Sequence, residues 1–409
     1  MAMNWLKQIT YCLVFSSLLM PSKSYSQSAS FQVNNYFTSP EAEQAMQKAC
    51  EIWGNILVSN TTIHVNFYWV DASPFGFLGL TLSNGIKNFQ NAPISNVWYP
   101  TSLAKAIAGN DLGITDVDID MYIDSTRNWY LGTDGNCPAG QFHLVKVLLH
   151  EIGHGIGFYS VANLDANGIG SFSTVINPVV SALASFPVPA LNGEPLIYDL
   201  FVENLQGEQL VDTLLFLNPS SALTAQFTGN NLYFNGVNTL NANNQSRPRL
   251  YAPNTFAFGS SILHLNENSF SPNSADGLMT PFSSAGETNL TPGPITLGIL
   301  QDLGWTINPI SIQNSYLESQ VLAQNYPNPF KKETTISFFL NSSSPITLKI
   351  YDAVGRCVRT LVNHKMSAGL HQITWNGKDD FGNNLPQNMY IYQLCTPHQK
   401  LSRKLLLSN

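Results

Sequence analysis

Residues 144–158 read LVKVLLHEIGHGIGF, and their apolar spacing predicts a helix from Leu144 to Gly157. His150 and His154 are four residues apart, so both imidazoles lie on one face of that helix and can bind the same ion. Glu151 projects beside the first imidazole, where it can accept a proton from a water molecule at the ion. The stretch therefore predicts a zinc centre with one candidate general base.

Two imidazoles do not complete a zinc site, and a third protein ligand is needed. The other histidines before residue 320 are His64, His143 and His264. His64 lies in a strand pattern, and His143 is about two helical turns from the pair, too far to share the ion. Elimination leaves His264 as the candidate third ligand. A carboxylate from Glu194 or Glu203 is the alternative, although neither lies in a helix motif.

This arrangement resembles the metzincin zinc peptidases, specifically their leishmanolysin-like branch. In that branch the third histidine follows a long insertion and precedes a Met-turn, as His264 precedes Leu278-Met279-Thr280-Pro281 here. The resemblance implies three zinc ligands, a general base, a glycine at which the helix ends and a methionine beneath the metal, namely His150, His154, His264, Glu151, Gly157 and Met279. The compact metzincin pattern would place its last histidine at residue 160, where this chain has Ser160. Residues 27–39 are also too few for an inhibitory propeptide.

The flanking patterns predict an α+β fold. Helical spacing runs from Pro40 to Val58, and β-branched and aromatic residues predict a strand from Thr62 to Val70. A short closing helix is expected from Thr296 to Leu303. The resemblance implies a metzincin-like domain at residues 27–309, with a twisted mixed sheet, the active-site helix and a long loop-rich insertion at about 161–262.

An acidic run lies within the first half of this domain. Residues Thr115 to Ile123 alternate strictly, and Asp116, Asp118 and Asp120 share one face of the predicted strand. A bound Ca²⁺ is one interpretation, but the glycine and the terminal glutamate of an EF-hand loop are missing. We therefore expect these carboxylates to form the solvated face of an edge strand.

A second module is expected at residues 323–409, after a linker at 310–322. Residues 27–319 contain 7 Lys and Arg against 22 Asp and Glu, whereas the chain from Gln320 onward contains 10 against 4. Such a reversal of charge is typical of a domain boundary. Short strand patterns separated by turns predict a small all-β sandwich, with strands at Thr335–Leu340, Ile346–Tyr351, Cys357–Val362, Gln372–Trp375 and Met389–Cys395.

The same module resembles the C-terminal sorting domain of type IX secretion. The motifs that carry the resemblance keep their order along the chain, and they are Asn325–Phe330, Ile350-Tyr351-Asp352, Trp375-Asn376-Gly377 and Arg403-Lys404-Leu405. The resemblance implies recognition by the type IX secretion machinery and passage across an outer membrane, with the tail open to removal afterwards.

Residues 1–26 have the pattern of an export signal peptide. Lys7 precedes an apolar core of 12 residues from Ile9 to Met20, and small residues follow at the expected cleavage position. That core is too short for a membrane anchor, and no transmembrane anchor is expected elsewhere. An oxidising destination permits disulfides among the remaining cysteines, which are Cys50, Cys137, Cys357 and Cys395.

Composition restricts the classes of function. Charged residues make up only 11% of the chain, and the acidic body argues against nucleic-acid binding, which needs a basic face. We expect a secreted or cell-surface zinc endopeptidase that hydrolyses protein or peptide substrates with metal-activated water and Glu151 as general base. The alternative is a surface binding protein whose zinc site is structural or inactive.

Overall fold

The computed structural model describes residues 27–113, 116–173, 193–272, 274–308, 322, 324–340, 343–367, 369–397 and 400–408. The predicted signal peptide at 1–26, residues 174–192 of the insertion and nearly all of the predicted linker at 310–322 lie outside the described residues. Helices and mixed sheets alternate along the described chain, so the α+β class is confirmed.

The N-terminal part, up to residue 308, contains fourteen described strands, six α-helices and two short 3₁₀ helices. The strands are β1 Ser30–Tyr36, β2 Leu57–Val58, β3 Thr62–Val70, β4 Gly79–Ser83, β5 Gly85–Ile86, β6 Tyr99–Pro100, β7 Ile119–Asp124, β8 Trp129–Tyr130, β9 Phe142–His143, β10 Ala162–Leu164, β11 Gly170–Phe172, β12 Val202–Glu203, β13 Tyr233–Phe234 and β14 Thr306–Ile307. The α-helices are α1 Pro40–Ile56, α2 Thr101–Ala108, α3 Leu144–Gly155, α4 Ser221–Phe227, α5 Val237–Ala242 and α6 Pro294–Leu303. The 3₁₀ helices are Ile197–Phe201 and Ala275–Met279.

The main sheet has the order β1-β3-β7-β4. Strands β1, β3 and β7 are parallel, whereas β4 is antiparallel to β7 and forms one edge of the sheet. Helix α3 packs beside β4 and β7 and against α1, so apolar side chains on nearly all of its faces are buried. This position makes α3 the central element of the N-terminal core.

Helix α1 begins where its sequence signals place it. The side chain of Ser39 accepts a hydrogen bond from the backbone of Ala42 at 3.2 Å, and Pro40 occupies the first turn. The helix ends at Ile56 rather than at the predicted Val58, because Leu57 and Val58 pair with β14 instead.

The prediction of a solvated edge strand at the acidic run is wrong for Asp118 and Asp120, whereas Asp116 is exposed. Strand β7 lies inside the sheet between β3 and β4, and Asp118 and Asp120 are fully buried. Asp118 forms a salt bridge of 2.8 Å with Lys105 on α2, and Asp120 accepts a hydrogen bond from Asn66 at 2.9 Å. Burial is tolerated because each carboxylate has a partner supplied by a neighbouring element.

The C-terminal module consists of strands in two sheets. They are β15 Thr334–Leu340, β16 Ser344–Tyr351, β17 Cys357–Met366, β18 Gly369–Trp375, β19 Asn388–Cys395 and β20 Lys400–Leu407. Strands β15 and β18 pair with each other, and the remaining four form a sheet of order β17-β16-β19-β20. Its buried apolar cluster, which includes Phe330 and Trp375, shares no residue with the N-terminal core.

Cys50, Cys137, Cys357 and Cys395 are all free thiols, so the permitted disulfides do not form among them. No helix within the described ranges combines the length and the apolar character needed to cross a bilayer.

Candidate metal centre

Hydrogen bonds from two buried tryptophans fix the helix that carries the first two histidines. The indole N–H of Trp53 on α1 donates to the carbonyl of Leu149 at 3.0 Å, and that of Trp305 donates to the carbonyl of Ile156 at 2.8 Å. Both indoles lie in the core, where a lost hydrogen bond would leave a polar group without a partner. Helix α3 is therefore held at its middle and at its C-terminal end.

Three imidazoles converge beside this helix. The Nε2 atoms of His150 and His154 are 3.0 Å apart, and the Nε2 of His264 lies 3.1 Å from the former and 3.2 Å from the latter. His264 is 110 residues beyond His154 in the sequence. Among the described residues, these three form the cluster of side chains that could hold a metal ion.

The other ring nitrogen of each histidine faces a backbone carbonyl. Nδ1 lies 2.7 Å from the oxygen of Leu278 for His150, 2.6 Å from that of Phe158 for His154, and 2.9 Å from that of Ser260 for His264. A carbonyl only accepts, so each Nδ1 carries the proton and each Nε2 of a neutral ring presents a lone pair.

Burial keeps the rings neutral at physiological pH. It lowers the pKa of His154 to about 4, with an opposing effect from the Phe158 carbonyl. Burial, with smaller contributions from neighbouring histidines, also lowers the pKa of His150 and of His264 well below the ordinary value. None of the three Nε2 atoms can therefore donate a proton to another, and the cluster is a set of three converging lone pairs.

This donor set fits a zinc ion. The centre of a triangle of nitrogens separated by about 3.1 Å is about 1.8 Å from each, so the axis through that centre includes a position at the Zn–N distance of about 2.0–2.1 Å from all three. Three imidazoles with the opposite nitrogen hydrogen-bonded to a carbonyl are also the ligands and outer contacts that zinc uses in catalytic sites. The metal itself stays a prediction.

Glu151 lies against the edge strand rather than among the ligands. The hydroxyl of Thr81 on β4 donates to its Oε2 at 2.8 Å. Burial raises the pKa of Glu151 to about 7, although this hydrogen bond lowers it. The carboxylate fits because residue 79 is glycine: a Cβ there would lie 2.7 Å from Cδ of Glu151.

Gly157 and Met279, for which the resemblance implies the end of the helix and a place beneath the metal, both lie against helix α3. Helix α3 ends at Gly155, two residues before the predicted end, and Gly157 has a φ of +126°, which a side chain rarely adopts. This turn carries the chain to Phe158, whose carbonyl faces His154. Met279 is fully buried, and its sulfur would lie 2.7 Å from a Cβ at Gly153 on α3.

The segment that delivers His264 is tied to the Met279 segment and contains an unusual backbone conformation. The amide of Leu265 donates to the carbonyl of Met279 at 2.8 Å. Ile262 has a φ of +76°, which is costly for a β-branched residue. The hydroxyl of buried Tyr198 donates to the carbonyl of Ile262 at 3.0 Å and so helps hold this conformation.

The alternative acidic ligands lie elsewhere. Glu194 pairs with Lys87, and Glu203 accepts hydrogen bonds from Arg247 and Asn235, both at 2.8 Å. Neither belongs to the cluster of ligand atoms, so the carboxylate alternative has no support in the described residues.

The remaining candidates also lie outside the cluster. Ser160 donates to the buried carboxylate of Asp199 at 2.6 Å. His64 bonds the backbone of Asp116 at 2.8 Å, and His143 is buried against Tyr130 just before α3.

Sequence reasoning missed the residues that surround the base and the open cleft. No sequence motif links Gly79 and Thr81 to Glu151, and they lie beside its carboxylate because β4 pairs with β7. The cleft has a volume of about 690 Å³ and is lined by β4, by α3 and by the segments around His264 and Met279. Buried Lys146 also lines it, and its charge is paired with that of Glu287.

Comparison with protein families gives a match for the C-terminal module. Residues 325–394 match the family model of the FlgD Ig-like domain. An uncharacterised protein of Schizosaccharomyces pombe is 26% identical over 130 residues, which are 31% of this chain and 20% of that protein. The chain thus spans about a fifth of the length of the curated relative that it matches.

Similar solved structures include two from Porphyromonas gingivalis. Dimeric latent PorU is 21% identical over 21% of this chain and 9% of its own, with a TM-score of 0.19. PorZ, a bacterial surface component of the type IX secretion system, is 19% identical over 22% of this chain and 12% of its own, with a TM-score of 0.17. FlgD from P. aeruginosa is 26% identical over 18% of this chain and 59% of its own, with a TM-score of 0.16. These structural similarities are confined to about a fifth of the chain.

Proposed function

We propose that this chain is a secreted zinc-dependent endopeptidase with a metzincin-like catalytic domain at residues 27–309. One observation carries the proposal: three unprotonated Nε2 atoms converge beside a buried carboxylate in an open cleft. A purely structural zinc site would need neither the cleft nor the carboxylate, because such sites are closed by four protein ligands.

The ligands and the base have separate tasks. A zinc ion held by His150, His154 and His264 would supply a Lewis acid that polarises a carbonyl and acidifies a water. Glu151 is not a ligand, and it can accept a proton from a water in the cleft and pass it to the leaving amine. Thr81 anchors one carboxyl oxygen, and the raised pKa brings the basicity of Glu151 close to that required at neutral pH.

The edge strand offers a place for a peptide substrate. Strand β4 pairs with β7 along one side, and within the described residues no strand covers its other side, which faces the cleft. An extended peptide can add to such an edge through backbone hydrogen bonds. A peptide bound in this way would pass close to Glu151, because Thr81 of the same strand contacts that carboxylate.

Export rests on features of the two ends of the chain. Residues 1–26 have the signal-peptide pattern, and the ordered motifs after residue 323 resemble a type IX sorting domain. The match to the FlgD Ig-like domain supports a small β-sandwich for that module. We therefore place the protein outside the cell or on its surface and propose the type IX secretion machinery as its partner.

Proteolysis by purified wild type and by Glu151→Gln tests this function, with zinc content measured on both. We expect Glu151→Gln to keep its zinc and its fold while turnover of a casein substrate falls by at least about 10², the usual contribution of general acid–base catalysis. Glu51→Gln, which changes an exposed carboxylate on α1, is the matched control and should keep full activity. Zinc-loaded wild type that fails to cleave would favour the alternative of a binding protein with an inactive site.

A further inference from the structure

Three phenylalanines are exposed at the mouth of the cleft. Phe75, Phe258 and Phe282 are 55%, 57% and 53% exposed, and all three line the cavity that contains His150 and Glu151. Single exposed apolar side chains are normal on a protein surface, but several that gather at one cavity mark an interaction site. We name these three residues the phenylalanine rim.

The rim is built from three separate segments of the chain. Phe75 precedes β4, which contacts α3 through the hydrogen bond from Thr81 to Glu151. Phe258 precedes the third histidine, and Phe282 follows Met279, in the part of the chain that receives the hydrogen bond of His150 at Leu278. The rim therefore combines a residue from the segment before the edge strand with two residues from the segments that carry His264 and Met279.

The interior of the cleft continues this apolar character. Phe77 and Phe256 also line it, and Phe77 stacks on Phe75 with ring centroids 6.0 Å apart. The charged side chains among its lining residues are Glu151 and Lys146, and the charge of Lys146 is paired with that of Glu287. An acidic substrate side chain therefore meets no free lysine or arginine among the lining residues, whereas an apolar one meets aromatic rings.

We propose that the phenylalanine rim selects extended peptide segments that carry bulky apolar side chains next to the bond presented to Glu151. This inference rests on the proposed function, since it names the substrate class of the same site. The volume of about 690 Å³ lies within the range of pockets that hold a ligand. The occupant is a peptide rather than a lipid or a small hydrophobic molecule, because the cleft runs beside the edge of β4, which no described strand covers and which offers backbone hydrogen bonds.

Peptide binding to the full-length Glu151→Gln chain tests the rim without catalysis. The probes are two fluorescein-labelled octapeptides of equal charge, one with Leu and Phe at alternating positions and one with Ser at those positions. Fluorescence anisotropy gives both dissociation constants, with and without a chelator. We expect the apolar peptide to bind at least about tenfold more tightly than the Ser peptide in both conditions.

Single replacements assign the selectivity to the rim. Phe258→Ser and Phe282→Ser should each weaken binding of the apolar peptide by about fivefold, which is the factor expected when the exposed half of a phenyl ring loses its contacts. Binding of the Ser peptide should not change. Phe381→Ser is the matched control, since Phe381 is 91% exposed and belongs to the C-terminal module.

Equal binding of the two peptides, or an equal loss in the control variant, would overturn the proposal. Circular dichroism of each variant tests whether the fold is kept, and we expect it to be, because these side chains are more than half exposed and their replacement removes little packing. Because binding is measured without turnover, a failure of proteolysis would refute the proposed function and leave the rim standing. Cleavage without preference for apolar peptides would refute the rim alone.

Discussion

Gly79→Ala perturbs the candidate base without touching any candidate ligand. A Cβ at this position would lie 2.7 Å from Cδ and 2.8 Å from Cγ of Glu151, and ordinary contacts begin at 3.4 Å. The carboxyl group must therefore move by at least about 0.7 Å from the position in which Thr81 holds it. A displacement of about 1 Å in a catalytic group can reduce the rate about 10²-fold. We expect a loss of about that size in kcat/KM.

Cleavage of a quenched fluorogenic peptide measures this loss, and elemental analysis of the same samples measures zinc. The variant should keep its zinc, because the three atoms nearest to a Cβ at residue 79 all belong to Glu151 and none to a histidine. Gly109→Ala is the control: it adds a methyl group at a left-handed glycine with nothing within 4 Å, so it should lower stability slightly and leave kcat/KM unchanged. Wild-type activity in Gly79→Ala would refute the placement of Glu151 as the base.

Three further predictions follow from other contacts. Gly157→Ala should weaken zinc binding by about 10- to 100-fold in a competition titration, because a side chain at φ +126° moves the carbonyl that holds His154; unchanged affinity would exclude this role. Lys146→Met should lower the free energy of unfolding, measured in urea, by about 3–5 kcal/mol, because it leaves the buried Glu287 carboxylate without its cation. Adding Glu287→Met to this variant should restore most of the lost stability. A fragment of residues 27–319 should stay folded and cleave peptides at the wild-type rate, because the two apolar cores share no residue; an inactive, folded fragment would contradict two independent modules.

The histidine cluster can be predicted from the sequence because two of its members form a local motif and few other histidines compete for the third position. The pair on α3 follows from helical geometry, and the third member follows from the small number of histidines in the N-terminal part. The structure brings His264 to the pair across 110 residues, although no local pattern specifies that distance. The Met279 position could be inferred only from the family resemblance.

Tertiary partners explain what sequence reasoning could not predict. Asp118 looks solvated in an alternating pattern, but Lys105 from another helix reaches it and permits its burial. The environment of Glu151 depends on Gly79 and Thr81, which lie some 70 residues earlier and carry no motif. Such contacts depend on which strand borders the helix, and strand order in a mixed sheet is not encoded in local periodicity.

Zinc content of the purified chain tests the central claim most directly, namely that His150, His154 and His264 together hold one zinc ion. Mass-spectrometric metal analysis should find one zinc per wild-type chain and one in the control His64→Ala, whose ring lies outside the cluster. His264→Ala should lose tightly bound zinc as fully as His154→Ala does, because two imidazoles alone leave the site incomplete. One tightly bound zinc in His264→Ala would contradict the account, since the third ligand would then be another residue.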